Sequence, residues 1–138
     1  VIDDAGMASM AKGGTIAMCL PATSFYLGAT FAPVRRMIDE FEVPVAIASD
    51  FNPGSCPSLN LQFVINLGYL KYRMTPEEVL TAVTINPACG INRGDRVGTL
   101  EVGKDADMVI WNAPNMEMLC YRFGSNLALQ TIKKGNLV

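Results

Sequence analysis

The sequence predicts an α/β fold built on parallel strands, and three observations carry that expectation. Residues Val43 to Ala48 are apolar with no alternation, the pattern of a strand covered on both faces. Segments with helical apolar spacing lie on either side of that run. Half of the 138 residues are hydrophobic and only 17% are charged, a balance that suits strands buried under helices and leaves apolar surface for a partner. The length suits one domain with a fair core.

The elements follow in order. Asp3-Asp4 start a helix, because their carboxylates accept from free N–H groups and favour its positive end. Met7, Met10 and Ala11 form its apolar stripe, and Gly13-Gly14 end it. Thr15 to Leu20 reads as a strand stopped by Pro21, and Ala22 to Thr30 as a loop. A helix is expected from Ala32 to Phe41, with Pro33 in its first turn and Val34, Met37, Ile38 and Phe41 on its buried face. After the Val43–Ala48 strand, Leu59 to Tyr72 reads as a helix with Leu61, Val64, Ile65 and Gly68 on one side. Thr75-Pro76-Glu77-Glu78 is a capping box with proline at the first helical position. That helix should stop before Asn86-Pro87, with a short helical turn from Pro87 to Ile91. Beyond about Val97 the pattern turns β-rich. Gly98–Lys104 reads as a strand and a turn, Met108–Trp111 as a strand, and Gln130–Val138 as a hairpin with Gly135-Asn136 at its tip.

Composition excludes several classes. A net charge of −2 leaves no electrostatic footprint for nucleic acid or an anionic membrane. Arg35-Arg36 and Lys133-Lys134 read as solvated faces. No run reaches the length of a membrane span, and the N-terminus is no signal peptide. It lacks an initiator methionine, so the expectation is a chain that begins mid-protein. Cys19, Cys56, Cys89 and Cys120 show no paired spacing and read as small buried thiols of an intracellular protein.

The chemistry is expected at Asp50. It follows the buried strand, and a carboxylate at the C-terminal end of a parallel strand sits where barrel and open-sheet enzymes keep their sites. Such a group can ligate a divalent metal and accept a proton from water. Asn52-Pro53-Gly54-Ser55 fits a type II turn, which would free the N–H groups of Gly54 and Ser55 for an anion. The Asn52 amide and Ser55 hydroxyl would add neutral donors. The residues alone leave a second reading open, in which the same turn is scaffolding and Ser55 caps a helix. Asp105 and Asp107 read as turn residues. The chain contains no histidine, so any chemistry at Asp50 has to be completed elsewhere.

Family resemblance adds to this. Gly98-Thr-Leu-Glu-Val-Gly-Lys-Asp-Ala-Asp-Met-Val-Ile-Trp111 resembles the stretch with which amidohydrolase-superfamily enzymes leave their barrel for a small β-sandwich. Ser49 to Ser55 is similar to the eighth-strand motif of the imidazolonepropionase family. Thr75–Glu78 and Thr84–Ala88 match the helix that follows there. Leu20-Pro21 and Phe25 match the end of strand seven, and Tyr121–Gly124 resembles a late Tyr-Arg-x-Gly.

The resemblance implies the C-terminal part of a (β/α)8 barrel, about strands 7 and 8 with their helices, over residues 1–96. Residues 97–138 would be a β-rich portion of the sandwich. It implies hydrolysis of the C–N bond of 4-imidazolone-5-propanoate to N-formimidoyl-L-glutamate with one zinc or iron ion, Asp50 serving as metal ligand and proton acceptor. Asn52, Gly54 and Ser55 would touch the substrate. The family's metal site also takes histidines from strands one and five, with a sixth-strand histidine assisting. The expectation is therefore a cytoplasmic C-terminal fragment, inactive alone. It would pair as a homo-oligomer or with the missing N-terminal part. Two alternatives stand beside this: a fragment of another amidohydrolase, of deaminase or dipeptidase type, and a non-catalytic interaction module.

Overall fold

The computed structural model describes residues 2–138. Two parallel strands, β1 (Ala17–Cys19) and β2 (Val45–Ile47), form its centre, with Ala17, Met18 and Cys19 opposite Val45, Ala46 and Ile47. All three β2 residues are buried, as the unbroken apolar run predicts. Around the pair stand α1 (Asp4–Lys12), α2 (Pro21–Tyr26), α3 (Val34–Asp39), α4 (Leu61–Tyr72), α5 (Pro76–Val83) and α6 (Ile85–Gly90). After a long irregular stretch come β3 (Met108–Trp111), α7 (Met116–Tyr121), β4 (Ala128–Lys133) and β5 (Asn136–Leu137). The last three strands make an antiparallel sheet in the order β3-β4-β5. The core joins Ala17, Cys19, Val45 and Ile47 of the strands to Met7, Val34, Met37, Val64, Leu67 and Val79 of the helices.

Local chemistry explains the helix ends. Asp3 caps α1 by accepting from the Gly6 N–H. Thr75 and Glu78 form the expected capping box, with Pro76 at the start of α5. Gly68 lets α4 lie close on β2: a Cβ there would stand 3.0 Å from Ile47 Cδ1, tighter than side chains normally pack.

Several expectations fail for identifiable reasons. Pro21 starts a helix instead of opening a loop, because the first helical N–H needs no partner. The capping-box helix does stop ahead of Asn86-Pro87, at Val83, but the short helix after it starts two residues earlier than expected, at Ile85, because Pro87 is tolerated in its first turn. Gly98–Lys104 forms turns, not a strand; Gly98 and Gly103 have φ of 100° and 96°, and Leu100 and Val102 are exposed. The last hairpin turns one residue earlier than expected, at Lys134-Gly135, where φ is 49° and 78°, the two positive values a type I′ turn requires. Leu61 is exposed, while Gln62 and Asn66 of α4 are buried. These two amides, one turn apart, clasp the chain around α7. Asn66 Nδ2 donates to the Leu119 and Cys120 carbonyls at 2.9 Å each, and Gln62 Oε1 accepts from the Leu127 N–H at 2.7 Å. Helix α7 itself was not anticipated; Asn115 caps it.

Arg35 is a bridge and not a solvated residue. Its guanidinium grips Glu78 with two bonds of 2.8 Å, Asp39 at 2.7 and 2.8 Å, and the Arg73 carbonyl at 3.0 Å. Glu78 thus serves the capping box and the link from α3 to α5 together, and Arg35 holds its carboxyl below the usual range. A depressed folded-state pKa stabilises the fold above the unfolded value and loses that effect as pH falls through the folded value. Arg35→Gln should therefore cost about 1 kcal/mol at pH 7. The gap to the parent should close on acidification below about pH 4. Urea midpoints of both proteins across that range check this; an equal acid loss in both would contradict it.

Candidate active site

Parallel pairing sends β1 and β2 out of the sheet on the same side. The Ala48 N–H still donates to the Cys19 carbonyl at 3.2 Å, so the two exits stay together. From β1 the chain enters α2, whose third residue is Thr23. From β2 it reaches Asp50. There the two meet: Thr23 Oγ1 donates to Asp50 Oδ2 at 2.8 Å. Both residues are half-buried. Asp50 Oδ1 accepts no hydrogen bond among the described residues. Asp50 itself has φ of 55°, a left-handed backbone that aspartate tolerates better than most residues and that often accompanies a functional position.

The loop beyond Asp50 departs from the expected type II turn, because Gly54 does not have positive φ. Instead Asn52 organises it. Its Oδ1 accepts from the N–H groups of Gly54 at 2.9 Å and Ser55 at 2.8 Å. Its Nδ2 donates to the Asp50 carbonyl at 2.6 Å and to Ser55 Oγ at 2.9 Å. Backbone bonds between Asn52 and Cys56, 3.0 and 3.3 Å long, close the loop. The two N–H groups expected to be free are therefore satisfied by the asparagine, in the self-bonding typical of Asx turns. Thr23 was missed because its segment read as loop; the available signal was Pro21, an acceptable first helical residue.

Phe25 lies edge-on to Phe63 at 5.5 Å, and Phe31 to Tyr72 at 5.8 Å. A cavity of about 410 Å³ opens at the far end of β2, between Ile38, Glu42, Pro44, Glu77, Thr81 and Asn86. Neither it nor a second of about 240 Å³ beside Pro33 and Arg73 reaches Asp50. Two strands alone cannot wall a cleft over their own ends.

A metal is tested by the donors present. Asp50 offers one hard anionic oxygen, suited to one position in the shell of a divalent ion. Among the described residues no group of three or more His, Cys, Asp or Glu could hold an ion. Burial pushes the Cys19 thiol up to about 11. All four cysteines are free, and Cys89, unlike the other three, is exposed. No helix among the described residues is long and apolar enough to cross a membrane.

A carboxylate at the end of a parallel strand, on an α/β scaffold, is the layout that barrel and open-sheet enzymes use for their sites. The family model described as "Amidohydrolase family" matches residues 2–138, and the chain belongs to that family. It is 50% identical, over its full length, to an imidazolonepropionase of Alkaliphilus metalliredigens, and 49% identical, over 99% of its length, to one of Streptococcus pyogenes serotype M3. The chain spans about a third of each, 33% and 32%. An adenosine deaminase from Xanthomonas campestris with bound zinc superposes with a TM-score of 0.86 at 21% identity, over 99% of this chain and 34% of that one. The fold is that of a segment of an amidohydrolase barrel.

The loop geometry makes a prediction. Asn52→Ala should cost about 1–2 kcal/mol, since it leaves partly buried donors unmatched. It should also speed hydrogen exchange at the Gly54 and Ser55 amides. Gly54→Ala should change stability by less than about 0.5 kcal/mol, because its new Cβ meets only Asn52 Oδ1, at 3.4 Å. A large loss for Gly54→Ala with none for Asn52→Ala would refute this account of the loop.

Proposed function

We propose that this chain supplies the Asp50 part of the active site in an imidazolonepropionase-like amidohydrolase. The reaction is hydrolysis of the C–N bond of 4-imidazolone-5-propanoate to N-formimidoyl-L-glutamate. The observation that carries the reading is the Asp50 carboxylate at the end of β2, with Oδ2 engaged by Thr23 and Oδ1 unengaged. Near 50% identity to imidazolonepropionases across the chain favours this substrate over those of the deaminase neighbour, which is 21% identical.

In this reading a divalent ion, zinc or iron, supplies Lewis acidity when bound. Asp50 contributes one ligand, and the rest come from outside the described residues. At the chain's own atoms, Asp50 Oδ1, the oxygen that Thr23 leaves open, would be that ligand and, through its remaining lone pair, the acceptor of the water proton. Asn52, Gly54 and Ser55 form the substrate-facing loop. For a ligand carboxylate to use the Gly54 and Ser55 N–H groups, the Asn52 amide has to turn away from them.

The larger assembly belongs to the same proposal. Residues 1–96 are read as the barrel segment and 97–138 as part of a composite sandwich. The outer edges of β1 and β2 carry no strand among the described residues. Val109, Ile110, Leu129 and Leu137 of the second sheet are exposed. Both features favour association, either with the remainder of the enzyme or as a homo-oligomer. Four free thiols suit the cytoplasm, and the substrate is a small cyclic amide, with no nucleic acid or membrane partner.

The test is a hybrid enzyme in which this chain replaces the matching third of the Alkaliphilus metalliredigens relative. It should hydrolyse 4-imidazolone-5-propanoate. Asp50→Asn should lower kcat by at least about 100-fold, the scale of a lost proton acceptor. Undiminished turnover by the Asp50→Asn hybrid would sink the reading.

A further inference from the structure

We infer that Thr23 is a positioning residue for the Asp50 carboxylate: its hydroxyl occupies Oδ2 and so leaves Oδ1 as the working oxygen. This rests on the reading of Asp50 given above and extends it to a residue on the neighbouring strand's exit.

The argument starts from what helical threonines ordinarily do. Thr81 Oγ1 donates to the Glu77 carbonyl at 2.9 Å, and Thr84 Oγ1 to the Leu80 carbonyl at 2.6 Å. Each returns its proton to its own helix, four residues back. Thr23 does not. In the first turn of α2 it has no carbonyl of its own helix four residues back, and its hydroxyl crosses to a residue 27 positions away.

The donor is also firmly placed. Pro21 and Ala22 beside it are buried. Phe25, two residues on, is seated against Phe63 of α4, and Phe63 in turn against Phe123 at 5.6 Å. A β-branched side chain adds stiffness at χ1. On the other partner, the Asn52 amide holds the Asp50 backbone at its carbonyl. Asp50 is thus gripped at both ends, by Asn52 through the main chain and by Thr23 through the carboxylate. With Oδ2 accepting a hydroxyl proton and Oδ1 accepting none, the two oxygens are no longer equivalent. A carboxylate otherwise free to rotate about χ2 presents one oxygen in one direction.

The experiment compares Thr23→Val, which keeps the shape and removes the donor, with Thr23→Ser, which keeps the donor. In the hybrid enzyme, Thr23→Val should lower kcat by about 10- to 100-fold, the usual effect of losing a residue that orients a ligand, with KM little changed. Thr23→Ser should recover most of that loss. In crystals of the 138-residue chain, the Asp50 carboxylate should keep one χ2 orientation, Oδ2 toward residue 23, in the parent and in Thr23→Ser, and turn or spread over several in Thr23→Val. Wild-type kcat in Thr23→Val overturns the inference, and so does a Thr23→Ser protein as impaired as Thr23→Val, which would make the role one of packing. If the hybrid does not fold, these structures decide: an unchanged carboxylate orientation in Thr23→Val overturns it. Failure of the underlying reading looks different, since then Asp50→Asn itself retains activity. An inactive Asp50→Asn beside a fully active Thr23→Val rejects this inference alone.

Discussion

The parallel register of β1 on β2 is the constraint from which the rest follows. Ala17, Met18 and Cys19 lie beside Val45, Ala46 and Ile47, so both strands release the chain at one edge of the sheet. Antiparallel pairing would have put the residues after β1 and those after β2 at opposite edges. Only the parallel arrangement lets the start of α2 and the Asp50 loop face each other. It also requires long crossovers, and α3 lies in the one that joins the two strands. The apolar cost of that connection is met by burying Val34 and Met37 against the pair.

Packing then fixes the pair in place. Gly68 allows α4 to press on Ile47, and the Arg35–Glu78–Thr75 network ties α3 to the head of α5. The buried amides of Gln62 and Asn66 reach from α4 to the segment around α7. The support for the Asp50 loop therefore comes from the helices packed on the strand pair, and the side over the strand ends stays open. That open side is where an additional wall and additional ligands would have to stand for hydrolysis to proceed.

Much of this was legible from residue patterns with strong local causes. The unbroken apolar run marked β2 and the placement of Asp50 at its end. The capping box of α5 was readable because its residue types do the capping themselves. What escaped depends on partners distant in sequence. Thr23 looks like any loop threonine until parallel pairing brings it to Asp50. Gln62 and Asn66 break the apolar face of α4 and read as surface, because nothing nearby announces the carbonyls they satisfy. Asn52-Pro53-Gly54 has the composition of a type II turn, but the asparagine side chain outcompetes that geometry by bonding its own backbone. Gly98–Lys104 has strand-like residues, but Gly98 and Gly103 take positive φ and turn the chain.

Asp50 is proposed as a working carboxylate with a directed free oxygen, beside the metal that the family binds. Anomalous diffraction from the hybrid enzyme, collected at the zinc and iron absorption edges, tests that most directly. The account predicts a metal peak about 2.0–2.2 Å from Asp50 Oδ1, with Oδ2 still on Thr23. A metal peak remote from Asp50, or an Asp50 side chain turned away from an occupied metal site, would contradict it.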